Sequence, residues 1–251
     1  MRDEKDFYVG YLDLPEKDRR FLLKTVPLGL IGLAAGGAIM GAQARSAGGG
    51  RWETGTPVSL TGRIGFHPYP TLWVDGAGIT LCGIGKKGAE PYTRQYDGQV
   101  VNVTGVRIVR GQCYLLGVAE KDITPASVQT APLPTTTVQS EVGLIGEVLD
   151  AQCFMGIMNP GYGRTHRACA ALCIRGGQPV YFSLGTRGQP GNDGNVSCAG
   201  VGFVLTDYEG KTANTEFLSL AGRPISLVGR QETIGNLSRI TPIRGSVKLL
   251  S

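Results

Sequence analysis

The chain has 251 residues, a formal charge of +5, 41% hydrophobic residues and 18% charged ones. That length suits one large domain or two small ones, and the balance excludes both a disordered tail and a polytopic membrane protein. Glycine is abundant at 39 residues while aromatics make up only 7%, which favours short strands and tight turns over a helical bundle.

Residues 1–24 carry many charges of both signs, and the next twenty residues, 25–44 (TVPLGLIGLAAGGAIMGAQA), carry none. At about 1.5 Å per residue this stretch is about 30 Å long as a helix, so it reads as a single transmembrane anchor. Lys17, Arg19, Arg20 and Lys24 before it predict a cytoplasmic N-terminus with the remainder outside. Gly32, Gly36, Gly37 and Gly41 are spaced to let a second helix approach closely. The run Asp18-Arg19-Arg20-Phe21-Leu22-Leu23-Lys24 resembles a twin-arginine export signal. It departs from that pattern in having Asp18 for the leading Ser or Thr, and Leu22 where Phe is common. The resemblance implies export of a folded protein across a bacterial inner membrane, often with a cofactor or partner subunit already acquired. Ala42-Gln43-Ala44 is an acceptable cleavage site, so a retained anchor and a removed signal both stay open.

Residues 45–57 read as a flexible tether, and 124–141, rich in Thr, Pro, Ala and Ser, as an extended linker. They bracket two modules, 58–123 and 142–251, that share a pattern. Residues 58–64 (VSLTGRI) recur as 142–148 (VGLIGEV), and Gly98, Gly105 and Gly111 recur as Gly222, Gly229 and Gly235. Alternating apolar residues such as Val101, Val103, Ile225 and Leu227 mark half-buried strands, with glycines placed for the bends of a small closed barrel. Each module resembles the OB-fold, which makes the expected fold mostly β, with two small barrels behind one helix. The spacing of the matches leaves the second copy an insertion of about 40 residues, near 150–195. OB-folds often bind single strands, but Tyr69, Trp73, Tyr92 and Arg94 are a sparse stacking set. No nucleic-acid partner is expected.

Cys153, Cys169 and Cys173 lie in the insertion with His166, and Cys198 lies just beyond it. The turn 159–163 (NPGYG) precedes an expected helix capped at Thr165, running through Cys173 and stopped at Gly176-Gly177. Gly146, Glu147, Val148, Asp150, Cys153, His166, Cys169, Ala170, Cys173, Gly177, Pro179 and Val180 together resemble a pattern found in a group of small exported OB-like proteins. That resemblance implies export and an OB-like fold, and no defined activity.

The cluster admits three chemistries. Cys153, His166, Cys169 and Cys173 are candidate zinc ligands, and Cys153 with His166 and Met155 or Met158 is the copper variant. His166 and Cys173 are seven residues apart, about 10.5 Å along a helix, so one ion takes either His166 with Cys169 or Cys169 with Cys173 beside Cys153. Structural disulfides among Cys153, Cys169, Cys173 and Cys198, with Cys82–Cys113 in the first module, suit an oxidising compartment and are the favoured reading. Thiol redox chemistry fits least, because the Cys-x3-Cys spacing is not that of thioredoxin-like proteins.

The loop 83–88 (GIGKKG) lacks the phosphate-binding P-loop pattern and reads as a strand end. Neither a haem-attachment run nor a nucleophile elbow occurs, so no catalytic residue is assigned and enzymatic activity is not expected. The resulting expectation is a single-pass accessory subunit of a respiratory or photosynthetic membrane complex, docking on other subunits through its barrels. A periplasmic metal-binding electron carrier or metallochaperone is the alternative.

Overall fold

The computed structural model describes residues 15–43, 50–111, 113–127, 134–158, 160–184 and 202–250. It divides into two units, 1–46 and 47–251.

In the first unit, helix α1 (Glu16–Gln43) begins inside the charged segment, nine residues before the uncharged stretch. Glu16 and Asp18 in its first turn favour the positive helix N-terminus, and Arg20 pairs with Glu16 one turn away. The apolar side chains do not gather on one face: Phe21, Leu28, Ile31 and Leu33 are all more than 60% exposed. No helix among the described residues is long and apolar enough to cross a membrane, so the span expected over 25–44 is not a feature the structure shows. Charges at its start and glycines along its length dilute its apolar character. A Cβ at Gly32 would meet nothing within 4 Å; the surroundings of Gly36, Gly37 and Gly41 lie outside what is described.

The second unit holds two five-stranded closed barrels with the same strand order. In the first, β2 (Val58–Phe66), β3 (Pro70–Val74) and β4 (Ala77–Gly83) form a meander, and β5 (Val100–Arg110) and β6 (Cys113–Val118) close it. Strand β5 pairs with β2 and β6, and β4 pairs with β6 in parallel. A one-turn helix, α2 (Glu90–Thr93), lies between β4 and β5. In the second barrel, β8 (Thr136–Asp150), β9 (Val180–Leu184), β10 (Phe203–Leu205), β11 (Pro224–Ile234) and β12 (Leu237–Pro242) repeat this order, with β10 and β12 parallel. Three short strands dress the edges: β1 (Gly50–Trp52) and β7 (Ile123–Pro125) on β5, and β13 (Lys248–Leu249) on β11. Strand β1 falls within the stretch read as a tether, and β8 starts six residues inside the stretch read as a linker.

Matched residues do matched work. Gly111 and Gly235 follow β5 and β11 at φ +59° and +58°, the left-handed region that a tight strand reversal needs. A Cβ on Gly62 would stand 2.5 Å from the Trp73 carbonyl oxygen of β3, and one on Gly146 2.0 Å from the Ser183 carbonyl oxygen of β9. The same close approach of neighbouring strands therefore recurs in both copies.

The barrels share a core. Ile64, Leu72, Leu81 and Val101 fill the first barrel, whereas Tyr69, Ile108 and Leu115 of the first pack with Val148, Phe182 and Ile225 of the second. The Tyr69 hydroxyl accepts the Ala213 N–H at 3.0 Å and donates to the Leu205 carbonyl at 3.4 Å. Tyr69 and Trp73 are buried, so they do not form the stacking surface considered for a single strand.

The expected insertion is divided by β9 into two parts, the first between β8 and β9 and the second, 185–201, outside the described residues. The first carries a π-helical turn, Cys153–Ile157, and helix α3 (Gly163–Arg175). Helix α3 starts two residues before Thr165, because the Glu147 carboxylate on β8 accepts the Gly163 N–H at 2.9 Å. That contact does from a neighbouring strand what a capping side chain would do locally. Gly176 caps the far end, as expected.

Candidate metal centre

The centre lies where β8, the π-turn and α3 meet. Period 3.6 puts His166, Cys169 and Cys173 on one side of α3, facing Cys153 on the π-turn. Cys153 Sγ stands 4.0 Å from Cys169 Sγ and 3.9 Å from Cys173 Sγ. A ring nitrogen of His166 and the sulfurs of Cys153 and Cys169 lie within 4.8 Å of one another, as do an Asp150 oxygen and the sulfurs of Cys153 and Cys173. Cys153 thus belongs to both trios, and neither joins His166 to Cys173, as their separation along the helix requires.

The structure overturns the disulfide reading at these positions. Cys82, Cys153, Cys169 and Cys173 are free thiols. The sulfurs near Cys153 are about twice as far apart as a disulfide bond of about 2.05 Å allows. They do match the roughly 3.8 Å between two thiolates sharing a tetrahedral ion with metal–sulfur bonds of about 2.3 Å. Cys113 is disulfide-bonded, but not to Cys82. Cys82 lies opposite Gly117, four residues along β6 from Cys113. At about 3.3 Å per residue that is about 13 Å, well beyond disulfide reach. Cys198 lies outside the described residues.

Asp150 organises the cluster. It is fully buried at the end of β8. Its Oδ1 accepts the Cys153 N–H at 2.9 Å, fixing the π-turn, and its Oδ2 receives His166 Nε2 at 2.7 Å. The other ring nitrogen, Nδ1, lies 3.1 Å from Met158 Sδ. A carboxylate behind an imidazole fixes the tautomer and turns the opposite nitrogen into the ligand atom, the usual outer support of a metal-binding histidine. Met155, the other candidate thioether, is buried in the shared core.

The first barrel reaches in as well. The loop after β4 sets Lys86 Nζ 3.0 Å from Cys169 Sγ and 3.9 Å from Cys173 Sγ. Gln178 holds that loop through its Nε2, which donates to the carbonyls of Gly83 at 3.0 Å and Lys87 at 2.8 Å. Gln152 adds a bond to the Gly83 carbonyl at 2.7 Å, and the Gly88 N–H donates to the Gly176 carbonyl at 2.8 Å. The packing is backbone on backbone: a Cβ on Gly176 would lie 1.8 Å from the Lys86 carbonyl oxygen.

The thiols differ accordingly. The hydrogen bond with Cys173, together with burial, pushes the Cys153 thiol up, so Cys153 is the partner that keeps its proton. The same bond draws Cys173 below the ordinary thiol range against the opposing effect of burial. The bond from Lys86 to Cys169 raises the Lys86 ammonium.

The expected ligands Cys153, His166, Cys169 and Cys173 are therefore brought together and could hold a metal ion. Lys86, Gln152 and Gln178 were not foreseen as part of this region; the glycine-rich loop around Lys86 was the only signal. Compared with known proteins, the chain matches no family model, no curated protein and no solved structure.

Proposed function

We propose that the protein is a metal-binding module, an electron carrier or metallochaperone rather than an enzyme, built on two OB-like barrels and held outside a bacterial inner membrane. The observation that carries this is the reduced cluster: Cys153 Sγ lies 3.9–4.0 Å from two further thiols and within 4.8 Å of a His166 nitrogen. Three free thiols so placed in an exported protein would oxidise readily unless an ion held them. Zinc and copper both accept such a ligand set.

The test is thermal melting of the reduced full-length chain, with and without added metal. An ion present at one hundred times its Kd adds about 2.7 kcal/mol of stability. The native chain should therefore melt several degrees higher with metal, and Cys153→Ser, which removes the residue common to both trios, should not respond. Equal melting of the native chain with and without metal would refute the reading.

A second reading, an accessory subunit of a membrane complex, is favoured by α1. Large apolar side chains of α1, among them Phe21, Leu28 and Leu33, are exposed, and exposed apolar surface of this kind marks contact with lipid or with other helices. On this reading α1 associates with the membrane, its basic N-terminal end stays cytoplasmic, and the barrels dock on partner subunits. Flotation with liposomes should recover the full chain but not residues 47–251, the separate barrel unit. Failure of the full chain to float would remove the membrane association.

A further inference from the structure

The arrangement around His166 narrows the metal. Its Nε2 lies 2.7 Å from Asp150 Oδ2, and its Nδ1 lies 3.1 Å from the thioether sulfur of Met158. A nitrogen and a thioether sulfur this close need something electron-poor between them, either a proton or a metal ion. Nitrogen and sulfur ligands of one ion, bonded at about 2.0 Å and 2.3 Å, stand roughly 3.0–3.5 Å apart at bond angles of about 90–110°. The contact thus has the length of an edge of a coordination polyhedron.

We infer that the ion is monovalent copper, held by Cys153, Cys169, His166 Nδ1 and Met158 Sδ. This rests on the metal-binding reading above and adds to it the fourth ligand and the identity of the ion. A thioether is a soft ligand that contributes little to zinc and selects copper among the ions that thiolates bind. Two thiolates around one Cu(I) leave a net charge of −1, and the Lys86 ammonium 3.0 Å from Cys169 Sγ is placed to offset it. Cys173, its sulfur 3.9 Å from Cys153, stands beside the set as a spare, buried thiol. The second methionine of the turn, Met155, is committed to the core, which leaves Met158 as the thioether in position.

The experiment uses the reduced full-length chain, titrated anaerobically with Cu(I) against a colorimetric Cu(I) chelator and separately with Zn(II). The native chain should bind one Cu(I) in competition with the chelator. Met158→Leu preserves side-chain volume. It should weaken Cu(I) by at least about tenfold, the lower end of what loss of even an outer-shell group costs, and leave Zn(II) affinity unchanged. X-ray absorption on the copper-loaded native chain should show one nitrogen with three sulfurs, and one sulfur fewer in Met158→Leu. This second measurement keeps the test intact if the variant folds poorly. An unchanged Cu(I) affinity and sulfur count in Met158→Leu would show that a proton, not copper, fills the His166–Met158 contact. That overturns the copper assignment while the metal centre stands. Zn(II) binding with no Cu(I) binding would do the same, and failure of the native chain to bind either ion would overturn both.

Discussion

Burial and polar partners set each thiol apart from its neighbours. Cys82 is fully buried, and burial pushes it up to about 12, so at pH 8 it stays the unreactive thiol. Cys169 is partly exposed with an ammonium beside it. Alkylation of the folded, metal-free chain should therefore label Cys169 quickly and leave Cys82 untouched until the protein unfolds, as peptide mapping would show; rapid labelling of Cys82 would contradict its burial. Asp150 is the residue on which the centre turns. Asp150→Asn keeps the shape but loses the carboxylate that fixes the imidazole, and should cost about 10- to 100-fold in metal affinity. The motif residues were legible in the sequence because Cys, His and Asp types at helical and turn spacings carry that chemistry. Free thiols, rather than disulfides, could not be read off, since pairing depends on which sulfurs the fold brings within about 2 Å.

Among the elements, the loop after β4 has most to explain. It belongs to the first barrel yet covers the centre of the second, held by Gln178, Gln152 and the Gly88–Gly176 hydrogen bond. Gln178→Ala would take the donor from the part-buried Lys87 carbonyl and leave the Gly83 carbonyl to Gln152 alone, a loss of about 1 kcal/mol. Gly176→Ala would drive a methyl group into the Lys86 carbonyl, now 1.8 Å from where it would stand. Both should lower the melting temperature and lift the loop from the buried Cys173, seen as faster alkylation of Cys173 in the metal-free chain. Unchanged labelling would mean that the loop does not guard the thiols. Strand patterns and the stop at Gly176 were visible in the sequence as alternation and glycine placement. The start of α3 was not, because its N-terminus is satisfied by Glu147 from another strand rather than by the local Thr165.

Across the whole molecule, the repeat was legible because barrel closure demands glycine at defined points, and the matched φ values of Gly111 and Gly235 show that demand in both copies. The common core was not, since the alternation in Val101 or Ile225 says which face is buried but not what covers it. The core also sets the alkaline limit of the fold. Burial raises Cys82 from 9.0 and Tyr181 from 10.0, each to about 12, so the native state holds these protons more tightly than the unfolded chain. The associated stability is complete below about pH 9 and is lost as pH rises through about 12. Melting temperatures should fall steadily above pH 9; a flat profile from pH 9 to 11 would show these groups to be solvated.

The most direct test of the metal centre is native mass spectrometry of the full-length chain, purified without chelator or added metal. The account requires a species heavier than the chain by one metal ion less the protons its thiolates release, with Cys82, Cys153, Cys169 and Cys173 recovered as thiols after denaturation in alkylating reagent. A metal-free mass with Cys153 joined to Cys169 or Cys173 would contradict it.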